Sequence, residues 1–318
     1  MTTQQAERIN GALVLVTGGA GFIGSHLVDE LLALGAKVRV LDNLETGHAE
    51  NLAHVTSRID FVRGDIRDLD VCQAACRGAR FVFHEAALGS VPRSLEVPAA
   101  TFLTNVSGTA NVFTAARDQG VQRVVYASSS SVYGSSERLP KREGEEGLPL
   151  SPYALSKHMN EELAETYVRC YSMQIVGLRY FNVYGARQDP NGAYAAVIPR
   201  FFTACRQGQA PVIFGDGEQS RDFTYVGDVV QANLAALLNG GGEGRAFNVG
   251  AGSRTTVNDL ARSIAKATGF PGEAEHQAMR AGDILHSIAD TSRIRETFGW
   301  KATTQLDHGI EQCALYYK

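Results

Sequence analysis

The order of apolar patterns in this chain predicts an α/β architecture, a doubly wound parallel sheet followed by a smaller C-terminal α/β unit. Three observations carry that expectation. Short apolar runs alternate with amphipathic stretches through the first half. A cluster of glycines follows the first apolar run directly. Beyond about Ile175 the alternation loosens into shorter elements broken by Gly- and Pro-containing segments.

Taken in order, Leu13-Val14-Leu15-Val16-Thr17 reads as a buried strand, residues 26–34 as a helix and residues 37–41 as a second strand. Residues 59–63, 81–84 and 123–127 look like further strands, and 101–117 and 152–171 carry helical periodicity. Strands alternating with helices imply parallel pairing with crossover helices on both faces. In the second half, Asp189-Pro190-Asn191-Gly192, Phe214-Gly215-Asp216-Gly217 and Gly240-Gly241-Gly242 separate shorter elements. They suit a smaller domain whose loops wall a cleft. The expected division is 1–178 for a dinucleotide domain and 179–318 for a substrate domain, with strands interleaved between them.

Composition narrows the function. The chain has 318 residues, 44% hydrophobic and 20% charged, which is ordinary for a globular enzyme. A formal charge of −4 without any polybasic block predicts neither nucleic acid nor an anionic membrane as partner. The first ten residues carry no basic segment followed by an apolar one, and no window approaches a membrane span. Cysteines 72, 76, 170, 205 and 313 are scattered, and Cys72 and Cys76 have no second pair or nearby histidine to complete a zinc site. No metal is expected, and free thiols suit a reducing cytoplasm.

The glycine cluster is Thr17-Gly18-Gly19-Ala20-Gly21-Phe22-Ile23-Gly24, between a predicted strand and a predicted helix. Glycines at 18, 21 and 24 permit a tight turn, bring a pyrophosphate against the backbone and pack helix on sheet. The free N–H groups of the helix start then face the anion. Asp42 ends the second strand, 18 residues beyond Gly24, where a carboxylate would bind the adenosine ribose and repel a 2′-phosphate. NAD is therefore expected rather than NADP. Asp65-Ile66, after the third strand, is placed to meet the adenine edge.

Tyr153-Ala154-Leu155-Ser156-Lys157 puts a tyrosine and a lysine one turn apart on one helix face. A tyrosine is a base near neutral pH only if each unit of pKa lowering is matched by about 1.4 kcal/mol of phenolate stabilisation. An ammonium and a cationic nicotinamide ring in a shielded cleft can supply that. Upstream, Ser128-Ser129-Ser130-Ser131-Val132-Tyr133-Gly134 follows a predicted strand, where a hydroxyl can bridge the tyrosine and a substrate hydroxyl.

These motifs resemble the extended short-chain dehydrogenase/reductase family, in its NAD-dependent epimerase/dehydratase branch. The resemblance spans nearly the whole chain. It includes Leu41-Asp42-Asn43-Leu44, Gly64-Asp65-Ile66, His84-Glu85-Ala86-Ala87, Asn105, Leu178-Arg179-Tyr180-Phe181-Asn182-Val183-Tyr184-Gly185, Ser220-Arg221-Asp222-Phe223 and Arg280-Ala281-Gly282-Asp283. It implies a Rossmann-type fold with NAD held by Gly18, Gly21, Phe22, Ile23, Asp42, Asn43, Asp65, Ile66, Ala86, Ala87, Asn105, Tyr153, Lys157 and Tyr180. It implies Tyr153 as acid/base, Ser129 as its hydroxyl partner, and Lys157 as the lysine on the nicotinamide ribose. On the substrate side it implies Asn182, Arg221 and Arg280 at the nucleotide diphosphate and Asp283 at the uridine ribose. Gly89, Ser90, Ser130, Ala196, Val197, Ile213 and Ser287 are implied as further lining.

Within the branch, dehydratases carry an acidic pair, and decarboxylases a glutamate, where this chain has Ser130 and Ser131. The resemblance therefore implies NAD-dependent 4-epimerisation of a UDP-hexose, by transient oxidation at C4 and return of the hydride to the opposite face. Residues 86–94 and 187–197 resemble epimerases of N-acetylated UDP-hexosamines, and Ser287, small where a tyrosine would fill the pocket, leaves room for an N-acetyl group. UDP-N-acetylglucosamine/UDP-N-acetylgalactosamine is the leading expectation. UDP-glucose/UDP-galactose or a UDP-uronic acid, with Arg93 or Arg187 facing the carboxylate, stay open. A nicotinamide-dependent reductase or a non-catalytic NAD-sensing protein are the readings from other classes. The helices at 101–117 and 152–171 correspond to those that pair in family homodimers.

Overall fold

The computed structural model describes residues 7–190, 196–279 and 285–317. The first half runs β1 (Leu13–Thr17), α1 (Phe22–Ala33), β2 (Lys37–Asp42), β3 (Ile59–Arg63), α2 (Leu69–Cys76), β4 (Phe81–His84), α3 (Val91–Glu96), α4 (Pro98–Phe102), α5 (Gly108–Asp118), β5 (Arg123–Ser129), α6 (Pro152–Tyr171) and β6 (Ile175–Tyr180). The second adds β7 (Val183–Tyr184), α7 (Val197–Arg206), β8 (Val212–Phe214), β9 (Ser220–Arg221), β10 (Thr224–Tyr225), α8 (Val226–Leu238), β11 (Ala246–Val249), β12 (Thr255–Thr256), α9 (Val257–Thr268), β13 (Glu275–Gln277), α10 (Ser292–Phe298) and α11 (Leu306–Tyr316).

Seven strands form one parallel sheet in the order β11-β6-β5-β4-β1-β2-β3. This is the doubly wound fold expected. Strand order reverses between β1 and β4, and the carboxyl ends diverge there into a crevice. The strands are apolar on both faces because both are covered. Val14, Val16, Val38 and Val40 face one layer with Leu27 and Leu31 of α1 and Leu234 and Leu237 of α8. Leu15, Val82, Val124 and Tyr126 alternate onto the other, against Cys72, Phe113 and Ala164 of α2, α5 and α6. A separate cluster built on Phe201, Phe202, Leu260, Ile264 and Ile310 holds the C-terminal unit together.

The second half of the chain thus supplies one sheet strand, β11, and two covering helices, α8 and α10. Cys72 and Cys76 are buried core residues whose thiols burial pushes up to about 12. Among the described residues no helix is long and apolar enough to cross a membrane. The helix expected over 101–117 is present without interruption but changes pitch: α4 runs to Phe102, one wide π turn spans Leu103–Ser107, and α5 continues from Gly108. Such a bulge turns one extra residue inward. Here Asn105 is fully buried and reaches the backbone of Leu88.

One buried ion pair ties the sheet to α6. Arg179 of β6 donates to both carboxylate oxygens of Glu161 at 2.9 and 2.7 Å, and also to Glu146. Glu161 accepts the Ser128 hydroxyl at 2.5 Å, which links the pair to the end of β5. Breaking a buried pair leaves an uncompensated charge and costs about 3–5 kcal/mol. Arg179→Met should lose a stability of that order in urea unfolding. A loss below about 1 kcal/mol, the scale of an exposed pair, would deny the pair its structural role.

Candidate active site

The site begins where β1 stops. Gly18 has φ +69°, its N–H donates to Leu41 O at 2.8 Å, and an added Cβ would lie 2.7 Å from Ala86 N. A Cβ on Gly24 would lie 2.2 Å from Gly18 O. The turn therefore tolerates no side chain at either position. α1 starts from Gly21 with no side-chain cap and no acidic residue in its first turn. Its leading N–H groups and the positive end of its dipole face the crevice, as a pyrophosphate requires.

On one side of this turn, Asp42 closes β2 with its carboxylate accepting Ala20 N at 2.9 Å and Leu44 N at 2.8 Å. Burial pushes its pKa above the usual range, and these two N–H groups oppose the shift. Asn43 donates to Asp65 at 2.8 Å, and Arg67 grips Asp65 at 2.9 and 2.6 Å. That grip holds the Asp65 carboxyl down to about 2. Ile66 completes this end, and Ala86 and Ala87 floor the middle.

The other end is built by β5, α6 and β6. Ser151 caps α6, accepting Ala154 N at 3.1 Å, with Pro152 in the first turn. The helix so started brings Tyr153 and Lys157 to the cleft on one face. Ser129 hydrogen-bonds the Tyr153 hydroxyl and accepts Ser131 N at 3.1 Å. Burial pushes the Tyr153 hydroxyl up and the Ser129 bond opposes this. Lys157 donates to Ala127 O at 2.7 Å, and burial brings it down to about 8 against the pull of Glu85 and Glu161. Tyr153 and Ser129 are thus in register, but the charge that would make Tyr153 a base is not supplied by Lys157 alone.

The opposite wall comes from the second half. Asn182 sits at φ +32°, uncommon for a residue with a side chain, and donates to Asp222 O at 3.1 Å. Arg221 donates to Ser220 O at 3.0 Å and Leu285 O at 3.3 Å. Ala196, Val197 and Ile213 continue the wall, while Phe22, Ile23, Tyr180, Gly89, Ser90 and Ser130 line the cleft with the residues already described. The cavity is about 950 Å³, at the large end of the range for small-molecule sites.

Two expected residues stand outside that lining. Asn105 exchanges hydrogen bonds with the Leu88 backbone at 2.8 and 3.2 Å and donates to Ser156 at 3.1 Å, so its amide ties the Leu88 loop to α6. Ser287 lies beside β9, its N–H donating to Ser220 O at 3.1 Å, and is not part of the described lining. Arg280 and Asp283 lie outside the described residues.

The geometry also gives roles to two residues that the motifs contain but to which motif reading assigned none. Glu85 follows β4 into the cleft and accepts the Tyr180 hydroxyl at 2.8 Å. Burial raises it to about 7, against the pull of Tyr180 and Lys157. Its signal was present as an acidic residue directly after four buried strand positions, Phe81–His84. Asp222 accepts Ala251 N, Gly252 N and Ala289 N at 2.8, 3.1 and 3.0 Å, and so moors two segments, the loop after β11 and the stretch at Ala289, behind Arg221. Among the described residues no group of His, Cys, Asp and Glu could hold a metal ion.

Comparison with known proteins agrees with this arrangement. Residues 14–250 match the model of the NAD dependent epimerase/dehydratase family. A UDP-glucose 4-epimerase of Mycolicibacterium smegmatis is 41% identical over 96% of this chain and 98% of its own. The UDP-N-acetylglucosamine 4-epimerase of Methanobrevibacter ruminantium, solved with UDP-N-acetylmuramic acid, superposes with a TM-score of 0.92 at 36% identity, over 97% of this chain and 98% of that one. The UDP-glucose 4-epimerase of Thermus thermophilus, solved with NAD, gives 0.87 at 37% identity over 96% and 98%.

The Gly18 turn is the sharpest test of the cofactor cradle. Gly18→Ala places a methyl group against the Ala86 backbone at a positive φ. The purified variant should have lost its NAD, measured by cofactor release on acid denaturation. Full NAD content in the folded variant would show that the cofactor does not depend on this turn.

Proposed function

The chain belongs to the NAD-dependent epimerase/dehydratase family, as an enzyme of the nucleotide-sugar epimerase type with NAD as cofactor, and we propose that it interconverts UDP-N-acetylglucosamine and UDP-N-acetylgalactosamine. One observation carries the 4-epimerase reading. A single cleft has the Ser129–Tyr153 hydrogen bond and Lys157 on one wall, and Asn182 and Arg221 on the wall contributed by the second half of the chain.

In this reading the glycine turn, Asp42 and Asp65 hold the cofactor, which when bound supplies a reversible hydride acceptor and a positive ring charge. Tyr153 takes the proton of the sugar 4-hydroxyl and later returns it, and Ser129 bridges the two oxygens. Moving the tyrosine from a pKa of roughly 10 to near 7 needs about 4 kcal/mol. Lys157 supplies part of it as an ammonium. Asn182 and Arg221, with Arg280 as the resemblance implies, grip the diphosphate, while Asp283 takes the uridine ribose. Binding energy is then concentrated on the nucleotide, so the oxidised sugar can turn and present its other face.

The sugar preference rests on room. Gly89, Ser90 and Ser130 are small, and an added Cβ on Gly89 would meet nothing within 4 Å. UDP-glucose is the second reading, favoured by the name of the 41% identical relative. The uronic-acid reading loses ground. Arg187 pairs with Asp29 at 2.7 Å outside the cavity lining, which leaves Arg93, a lining residue 3.9 Å from Glu45, as the one remaining cation of the two. We also propose a cytoplasmic homodimer. Leu103 is 55% and Leu155 39% exposed, apolar side chains on the α4–α5 bulge and on α6 that a second copy would cover.

Proton NMR of the protein with UDP-N-acetylglucosamine, and separately UDP-glucose, without added cofactor tests the reaction and the sugar together. The wild type should convert the first faster, and Tyr153→Phe should lose about a thousandfold in kcat. Conversion of UDP-glucose alone would overturn the sugar assignment. Full activity in Tyr153→Phe would overturn the mechanism. Light scattering should give twice the chain mass, falling to one chain mass in Leu103→Glu; a wild-type monomer would refute the dimer.

A further inference from the structure

We propose that Glu85 is a charge-balancing residue that sets the preference of the site for the oxidised, cationic nicotinamide over the reduced, neutral one. The inference rests on the reading above that the nicotinamide end of NAD lies beside Tyr153 and Lys157.

Three observations point to it. Glu85 lines the cleft between Ala86, which packs against the Gly18 turn, and the Tyr153–Lys157 wall. Its carboxylate is held by a chain of hydrogen bonds. Asn233 of α8 donates to Val229 O at 2.9 Å and to the Tyr180 oxygen at 2.8 Å. The Tyr180 hydroxyl has two acceptors within reach, Asn233 Oδ1 at 3.1 Å and Glu85 at 2.8 Å, and the shorter contact goes to Glu85. Third, among the described residues no ammonium or guanidinium forms a direct ion pair with Glu85. Lys157, the cation facing it from α6, is engaged with Ala127 O. His84, its neighbour on β4, is buried and brought down to about 3, so it is neutral and offers no charge.

A carboxylate in this position is costly unless a cation approaches. The oxidised ring brings one positive charge and the reduced ring none. Hydride uptake therefore removes an attraction to Glu85 that hydride return restores. For an enzyme that must give back every hydride, that bias disfavours being stranded in the reduced state. Glu85 acts through charge and through Tyr180, as a positioning residue.

The test reads cofactor preference and needs no sugar turnover. Holoenzyme is equilibrated with NAD/NADH mixtures of fixed ratio, washed, and the bound forms quantified by NADH absorbance and total cofactor. Glu85→Gln should shift the bound ratio toward NADH by about tenfold, equivalent to about 1.4 kcal/mol. Glu85→Asp, which keeps the charge, should restore most of the wild-type ratio. An unchanged ratio in Glu85→Gln would overturn the proposal. If that variant does not fold, Tyr180→Phe carries the test. Without its donor the carboxyl protonates more readily, so the ratio should move the same way, and an unmoved ratio would overturn the proposal. Lys157→Ala separates the two readings. Weakened binding of both forms supports the placement of the nicotinamide end. If neither form is affected, that placement fails and the Glu85 assignment falls with it.

Discussion

The close approach of backbone to backbone at the end of β1 is the constraint on which this site depends. Gly18 lies against Ala86, and Gly24 against Gly18, at distances that leave no room for a Cβ. That contact sets how deeply α1 sits on the sheet. It thereby fixes where the helix N-terminus points relative to the ends of β4, β5 and β6. The cofactor cradle and the Tyr153–Lys157 wall are separate pieces of sequence, and they become one cleft because neighbouring parallel strands end side by side.

Around that contact the protein keeps a set of buried polar groups, each with a defined partner. His84 is kept neutral between Thr17 and Thr109 at 2.7 and 2.9 Å, bracing β1 against β4 and α5. Arg179 and Glu161 brace β6 against α6 and reach Ser128, the neighbour of Ser129. Asn105 pins the Leu88 loop and Ser156 of α6. Satisfied networks of this kind hold side-chain orientation, because every alternative leaves a buried group unpaired. Tyr153 and Lys157 inherit their orientation from these braces.

The electrostatics at the reaction end show a site prepared for charge that its ligand brings. Burial raises Tyr153 and Glu85 and lowers Lys157, so each of the three is pushed toward its uncharged form. A cationic ring bound here would oppose that push for Tyr153 and Glu85, whose charged forms are anions. The same burial that makes the empty arrangement costly makes the filled one responsive.

Much of this protein is legible in residue order alone. Alternating buried strands and amphipathic helices dictate the parallel sheet, since period and handedness leave few other solutions. The glycine spacing, Asp42, Ser129 and the Tyr153–Lys157 pair are local in sequence, so their chemistry shows without a fold. Asn105 is recognisable as a motif residue, but only the bulge between α4 and α5 directs its amide to Leu88 and Ser156. Ser287 reads as a gate by its offset from Asp283, yet its position beside Ser220 is set by a contact between distant segments. Glu85 acquires meaning only from Tyr180, Asn233 and Lys157, which lie far along the chain. Sequence by itself determined the fold class and named the candidate reactive groups, because periodicity and short motifs are encoded within a few residues. Tertiary structure decided which polar side chains face the cleft and which charges meet there, because burial and pairing depend on partners that the chain brings together only when folded.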